Sequence, residues 1–545
     1  MSKSTFVKGA AILGAAGIFV KLLGAVFRIP LADIIGATGM GYYTPAYNIY
    51  TVFVVIATSG IPVAISKMVS ERVTVKNYEE AHRVFRISFY LMLAIGVVSF
   101  IILFFGAGLI AEGSNIPEAK IPMMAVAPAL ILVPIMAAYR GYFQGMQNMK
   151  PTAFSQVFEQ VFRVGIGLFL GYTLYKGLTT FGLIDQFDAG VKGAAGAAFG
   201  GTVGSIAGLL VILVIYIVGK PMITARRRKY DGGERSPWKQ ILKEILSIAI
   251  PITIGAAIMP IMNFIEAPII MNRLLASGYS GAEATNLYGQ IGGLAMPIIN
   301  LPQVLTMALA MSLVPLISSA HKERDHEKLQ YNTVLSVRIA MLIGLPCAIG
   351  IAVLAEPIML LLYKSRFEEA VNVAPTLALL AVGVIFLSVV QTVSGVLQGV
   401  GKQMIPVLNL VVGIVIKIAV TWILVGIPAL NIKGAAIGTI AAYIVVAYLD
   451  LRATKKYTGA VFDLKLTFLR PAAAALIMGA VAWLIYHVIF GGVQGNSIGT
   501  LVSIAVAGVV YLVLLFVLKA ITREDLVNMP KGDKIIKLMD KLGRK

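Results

Sequence analysis

Apolar stretches recur along this chain from Val7 to Ala520, separated by short polar breaks that contain Gly or Pro. Each has about twenty residues or more, enough to cross roughly 30 Å of hydrocarbon as a helix. That recurrence leaves few folds open. By length alone, 545 residues would make several soluble domains, but 58% of them are hydrophobic and only 13% charged. No span of soluble-domain composition interrupts the series. A β-barrel would alternate polar and apolar residues over short segments, whereas Leu91 to Phe105 and Ile206 to Val218 are apolar on every face. The expected architecture is an all-α polytopic membrane protein with about 14 transmembrane helices. The first apolar stretch is expected to stay as a helix, because Lys21 and Arg28 interrupt it and no small-residue cleavage site ends it.

The net charge of +20 would suit a nucleic-acid partner if Lys and Arg lined one face. Instead they cluster by loop, following the even-numbered spans: Lys67 to Arg86; Lys220, Arg226, Arg227, Arg228, Lys229 and Arg235; Lys322 to Lys328; and Arg452, Lys455 and Lys456. Positive loops stay on the cytoplasmic side, so both termini are expected there, in a bacterial cytoplasmic membrane, with lipid and not nucleic acid as the partner. Arg226 to Lys229 reads as a topology signal facing an anionic leaflet. In the tail 521–545, Ile535, Ile536, Leu538, Met539 and Leu542 share a face, as in an interfacial helix. The single cysteine, Cys347, lies in an apolar run and excludes a disulfide framework or thiol-rich metal site.

Two short matches suggest an internal repeat. Gly141-Tyr142-Phe143-Gln144-Gly145 returns as Gly395-Val396-Leu397-Gln398-Gly399, followed by Pro151 and Pro406, and Lys192-Gly193-Ala194-Ala195 returns as Lys433-Gly434-Ala435-Ala436. A parallel repeat of six-helix lobes follows: 1–218, a basic linker 219–240, 241–454, two appended helices in 455–520 and the tail 521–545. Gly196, Gly200, Gly204 and Gly208 form a strip along the sixth span, suited to close helix packing.

Charged groups at bilayer depth are costly unless they meet a partner or a wet cavity, so they carry most of the functional information. Lys21 and Arg28 share a face of the first span. Glu159 and Arg163 stand one turn apart on the fifth, acid first, the orientation of an intrahelical ion pair. Lys417 occupies the position equivalent to Arg163 in the repeat. Glu266 lies between Pro260 and Pro268, with Asn263 before it and Arg273 after it. Lys21, Arg28, Arg163, Lys417 and Arg273 are the candidate substrate-binding cations, able to grip a polyanionic headgroup if they converge. The alternative is neutralisation in pairs and snorkelling to the interface. Glu266, Glu159 and Asn263 are the candidate ion-coupling residues, with Na+ or a proton as coupling ion. The prolines of the seventh and eighth spans, Pro251, Pro260, Pro268, Pro297, Pro302 and Pro315, mark expected kinks and gating elements.

No catalytic centre or cofactor is implied. Gly219-Lys220 and Gly401-Lys402 lack the rest of a phosphate-binding loop, and His321 and His326 lack the acid placement of a zinc protease. His487 is expected to be structural.

Lys21-Leu22-Leu23-Gly24 with Arg28, Gly36-Ala37-Thr38-Gly39-Met40-Gly41, Ser59-Gly60-Ile61-Pro62-Val63-Ala64-Ile65-Ser66 and the repeated Gly-x-x-Gln-Gly resemble the polysaccharide-transporter branch of the multidrug/oligosaccharidyl-lipid/polysaccharide flippase superfamily. Within it the likeness is to the stage V sporulation B group and the MurJ-like lipid II flippases of Gram-positive bacteria. The resemblance spans essentially the whole chain. It implies two six-helix lobes in a V around a central cationic cavity, alternating access, and export of a lipid-linked (undecaprenyl-diphosphate) peptidoglycan precursor or polysaccharide unit. The last two helices would hold the polyprenyl tail, and enzymes of cell-wall synthesis stand as candidate partners. Lys21 and Arg28 match basic positions of that family's first helix, with spacing one residue different from the Gram-negative branch. An arginine pair after the second helix is lacking, and Met296-Pro297-Ile298-Ile299-Asn300 stands where that branch has Arg-x-x-Glu. The competing readings are a cation-coupled multidrug exporter, which would prefer an acidic cavity, and a non-transporting scaffold for cell-wall synthesis, which would have no use for buried cations.

Overall fold

A computed structural model describes residues 3–180, 182–229 and 236–520, with the side chains of 3–11, 183 and 226–229 left out. The tail 521–545, Arg235 and the side chains of Arg226 to Lys229 lie outside what is described. Among the described residues there is no strand, and 13 helical stretches are long and apolar enough to cross a membrane. The first of these, Ile12–Thr74, contains two of the expected spans, which brings the number of passes to the expected fourteen.

The two spans merge because the segment Gly36 to Gly41 between them leaves helical geometry at one residue alone. Helix α1 (Lys3–Thr58) leaves helical geometry only at Gly36, whose φ of 72° and ψ of 178° fall in a region open essentially to glycine alone. A second break, at Ser59-Gly60, precedes α2 (Ile61–Thr74), which has proline in its first turn where no backbone N–H is missed. The remaining helices of this part are α3 (Tyr78–Gly113), α4 (Lys120–Val126), α5 (Ala129–Gly145), α6 (Lys150–Tyr175), α7 (Ala189–Lys229), α8 (Trp238–Ala276) and α9 (Gly281–Gly289). Their starts are written locally. Asn77 caps α3 by accepting from the Glu80 N–H at 3.0 Å, and Ser280 with Glu283 forms a capping box on α9. The expected eighth span is broken, since a π-helical turn, Gln290–Ala295, separates α9 from α10 (Met296–Lys322). The backbone of α8 remains one helix through Pro251, Pro260 and Pro268.

Packing divides the structure into two compact units. The first is Met1–Pro297 with Val425–Ile432, so α8 and α9 pack with the N-terminal helices. Its apolar core joins Ile61, Ile65, Met68, Phe85, Tyr142 and Ile245. The second is Ile298–Leu424 with Lys433–Lys545. It contains most of α10, then α11 (His326–Val353), α12 (Ala355–Leu362), α13 (Phe367–Gly399), α14 (Met404–Val425), α15 (Lys433–Thr458), α16 (Arg470–Leu484) and α17 (Ser497–Val517).

Glycine sets the closest helix approaches, and the matched Gly-x-x-Gln-Gly segments are used alike. A Cβ on Gly141 would stand 2.8 Å from the Pro62 carbonyl oxygen, and one on Gly145 2.8 Å from that of Ser66. In the second unit, a Cβ on Gly395 would stand 2.8 Å from the Ala310 oxygen, and one on Gly399 3.2 Å from that of Val314. Each pair seats its helix on two carbonyls one turn apart. At α1, Gly289 and Gly293 leave no room for a side chain against Ala37 and Met40, while Asn286 donates to Thr38 Oγ1 at 2.9 Å. This contact fixes Tyr288 of α9 beside the α1 segment after the kink.

Candidate functional site

The stretch of α1 after Gly36 places Tyr43, Tyr47 and Tyr50 on one face, at helical spacings of four and three. Tyr43 and Tyr47 stack with centroids 5.8 Å apart, and Tyr47 and Tyr50 follow at 6.0 Å. Tyr43 and Tyr50 are each 3% exposed. This ladder carries one cation at its middle ring and one at its last. The Arg28 guanidinium carbon lies 5.0 Å from the Tyr47 ring centroid, and that of Arg163 lies 6.0 Å from the Tyr50 centroid. Aromatic faces attract guanidinium groups by about 0.5–2 kcal/mol, so the tyrosines hold arginines at depth while leaving their donors usable.

Arg163 is also tied down by its own helix. Its Nη2 donates to Tyr50 Oη at 3.3 Å and to Glu159 Oε1 at 3.4 Å. Glu159 is not a private partner, however: its other oxygen, Oε2, accepts from Arg140 Nη2 of α5 at 2.9 Å. Arg140 in turn donates through Nε to Ser155 Oγ at 2.9 Å. One carboxylate thus bridges two arginines, and the cluster keeps an excess of positive charge. The Glu159 and Arg163 side chains are only 14% and 15% exposed. The glycine strip of α7 makes this placement possible. A Cβ on Gly204 would meet the Glu159 carbonyl oxygen at 2.5 Å, and Gly200 has no room for one against Gly167. The α7 backbone therefore presses on the backbone of α6, as expected for a packing strip, and Tyr43, Tyr47, Tyr50, Arg163, Ala197 and Gly201 line a cavity with space for about one water. Arg163 Nε is buried without a hydrogen-bond partner.

A second cluster adjoins Arg28. Tyr288, 4% exposed, lies within electrostatic reach of both Arg28 and Glu266 and hydrogen-bonds the Asn48 side chain. Asn48 also donates from Nδ2 to the Asn263 carbonyl oxygen at 3.0 Å. The first unit therefore brings Arg28, Arg163, Glu159, Glu266 and the Asn263 backbone onto one run of polar and aromatic groups along α1. Lys21 is an exposed residue two turns before Arg28 on the same helix.

Two of the expected cations stand elsewhere. Arg273 lies against Gly426, where its guanidinium excludes any Cβ, and the neighbouring Ser277 and Tyr279 bond the same segment through Val425 and Asn431. Lys417 belongs to the second unit, half-buried on α14, where its carbonyl oxygen would be 3.1 Å from a Cβ on Gly438 of α15. The α6–α7 and α14–α15 seams use the same register, Gly167 facing Ala197 in one and Thr421 facing Gly438 in the other.

Sequence reasoning missed Arg140, Asn48, Tyr288 and the tyrosine ladder. The ladder's spacing was legible in principle. Arg140 was not, because it sits near the end of its span, where arginine ordinarily reaches the interface.

The family model described as "Polysaccharide biosynthesis protein" matches residues 6–321, and the MatE model matches residues 291–423. Stage V sporulation protein B of Bacillus subtilis (strain 168) is 27% identical over 98% of this chain and 100% of its own length. Lipid II flippase MurJ of the same organism is 27% identical over 93% of this chain and 94% of its own. A solved structure of lipid II flippase MurJ in an inward closed conformation superposes with a TM-score of 0.64 at 16% identity, covering 92% of this chain and 98% of that one. The chain is a multi-pass membrane protein that belongs to the polysaccharide biosynthesis protein family.

Proposed function

We propose that this protein exports a lipid-linked unit carried on undecaprenyl diphosphate, a peptidoglycan precursor or polysaccharide building block, across the bacterial cytoplasmic membrane by alternating access. The observation that carries the reading is the excess of half-buried arginine beside α1, with Arg28 and Arg163 held on tyrosine faces and Arg140 sharing the single carboxylate of Glu159. A site of that polarity attracts a diphosphate and repels the cationic drugs that a multidrug exporter would carry. The relative named as a lipid II flippase supports the same class of cargo.

In this reading Lys21, Arg28 and Arg163 bind the headgroup, with Lys417 and Arg273 contributing in other stages of the cycle. Glu266 and Asn263, beside Tyr288 and Asn48, are the coupling group for Na+ or a proton, and Glu159 orders the arginines. The lobes are the parallel repeat 1–218 and 241–454, a partition supported by the matched glycine contacts and distinct from the grouping by packing. Both termini face the cytoplasm, as the distribution of Lys and Arg over the loops suggests.

The test is growth rescue in a bacterial strain depleted of its lipid II flippase. The wild-type chain restores growth, and the Lys21→Ala, Arg28→Ala double variant, inserted to the same level, does not. Equal rescue by both would remove the cationic site from the account.

A further inference from the structure

The second unit contains a buried acid, Asp450, remote in sequence from the groups along α1. Asp450 of α15 is 0% exposed. Its Oδ1 accepts from Asn409 Nδ2 of α14 at 2.7 Å, while Oδ2 is buried with no hydrogen-bond partner. One turn further along α15, Thr454 is also 0% exposed, and its Oγ1 likewise lacks a partner. The seam is closed immediately above them: Gly413, one turn after Asn409, has no room for a side chain against Val446, one turn before Asp450. The antiparallel register of the two helices thus sets the half-buried amide against the acid and shuts the acid away from solvent.

No counter-charge among the described residues serves this carboxyl. Among the described residues, α13 has ionisable side chains only at Glu368 and Glu369, in its first turn, and α14 has Lys417, two turns beyond Asn409. Helix α11 carries His326, Glu327, Lys328 and Tyr331 near its start, then Arg338 and Cys347. On α15 itself Lys433 begins the helix, Tyr443, Tyr448 and Tyr457 are phenols, and Arg452, Lys455 and Lys456 are exposed. Of all these, none bears on Asp450, and the side chain that does is Asn409. A carboxylate taken out of water without a cation is held by neutralisation, either by a proton or by a metal ion. Asn409 turns N–H toward the acid, a donor polarity that suits a carboxyl oxygen and opposes a metal. A proton on Oδ2 removes the charge of the orphaned acceptor and turns it into a donor.

We infer that Asp450 is a reversible proton-binding site, with Asn409 as its fixed hydrogen-bond donor, and that the proton it takes up and releases drives transport, which makes the coupling ion a proton and Glu266 a second proton site working in series with it. The second half of this inference rests on the transport reading; the first does not. Glu159, committed to two arginines, is then a positioning residue rather than a carrier.

The test separates the two halves. Infrared difference spectra of the full-length protein in lipid nanodiscs, recorded between acid and alkaline pH, show the carbonyl stretch of a protonated carboxyl in the wild type. Asp450→Asn removes that band, and Asn409→Leu, which keeps the acid but takes away its donor, shifts it. An unchanged band in both variants overturns the site, and the second variant reads it even where the first accumulates poorly. In Na+-free vesicles, a pH gradient accelerates movement of a fluorescent undecaprenyl-diphosphate sugar by the wild type and leaves Asp450→Asn unaccelerated. Acceleration retained in Asp450→Asn, or obtained from Na+ alone, overturns the coupling. An Asp450-dependent band in a protein that moves the probe under neither gradient overturns the transport reading and upholds the proton site.

Discussion

Replacing Glu159 by Gln tests how the first unit tolerates clustered arginines. The change keeps the side chain's volume and removes the charge that accepts from Arg140 at 2.9 Å and from Arg163 at 3.4 Å. At an effective dielectric of about 20, unit charges roughly 4 Å apart attract by about 4 kcal/mol. Desolvation of both partners offsets most of that gain in the intact cluster, but removing one partner leaves the other charge without compensation, which costs about 3–5 kcal/mol. Side chains 13–15% exposed retain a little solvent, so about 3 kcal/mol is expected for Glu159→Gln, roughly a hundredfold in the folding equilibrium. The assay is a double-mutant cycle with Arg140→Gln, read as unfolding free energy in lipid nanodiscs. The double variant is expected to be more stable than the sum of the single losses predicts, by about 1–3 kcal/mol. Simple additivity, or a loss in Glu159→Gln below about 0.5 kcal/mol as for an ordinary surface change, would refute the reasoning.

Three further predictions rest on separate contacts. Gly36→Ala places a Cβ at φ 72°, ψ 178° and is expected to cost about 1–3 kcal/mol, seen as a lower unfolding midpoint. Gly204→Leu overpacks α7 against Glu159 and Arg163 and is expected to cost about 1–3 kcal/mol or more, whereas Gly165→Ala, with open space around it, stabilises by about 0.5–1 kcal/mol. Tyr47→Leu removes the ring under Arg28 and is expected to weaken its hold by about 0.5–2 kcal/mol; growth rescue falls while the amount of inserted protein stays the same.

Which features the sequence disclosed follows from the range of the forces involved. The apolar spans are local, each fixed by twenty or so residues against lipid, and they were legible throughout. Breaks inside spans were less so. Ser59-Gly60 lies where Gly60 leaves no room for a side chain against Ala249 of α8, and the π turn Gln290–Ala295 lies where Gly293 meets Met40 of α1, contacts that no single segment specifies. The Glu159 and Arg163 pair was legible because both residues share one helix. The third member, Arg140, comes from α5, and its pairing requires the α5–α6 contact. The glycine strip was legible as packing, but that it pushes Glu159 and Arg163 toward the tyrosine ladder emerges only from the α6–α7 seam. Asp450 escaped notice because three basic residues follow it in sequence; the fold points those outward and the acid inward.

The most direct test of the central claim is equilibrium binding to the purified protein of two ligands that differ only in charge: an undecaprenyl-diphosphate-linked sugar and an uncharged analogue without the diphosphate. The account predicts that Arg28→Ala, which removes charge-assisted hydrogen bonds of about 1.5–3 kcal/mol, weakens the diphosphate ligand about ten- to a hundredfold and leaves the neutral one unchanged. Equal affinity of the wild type for both ligands, untouched by Arg28→Ala or Lys21→Ala, would contradict it.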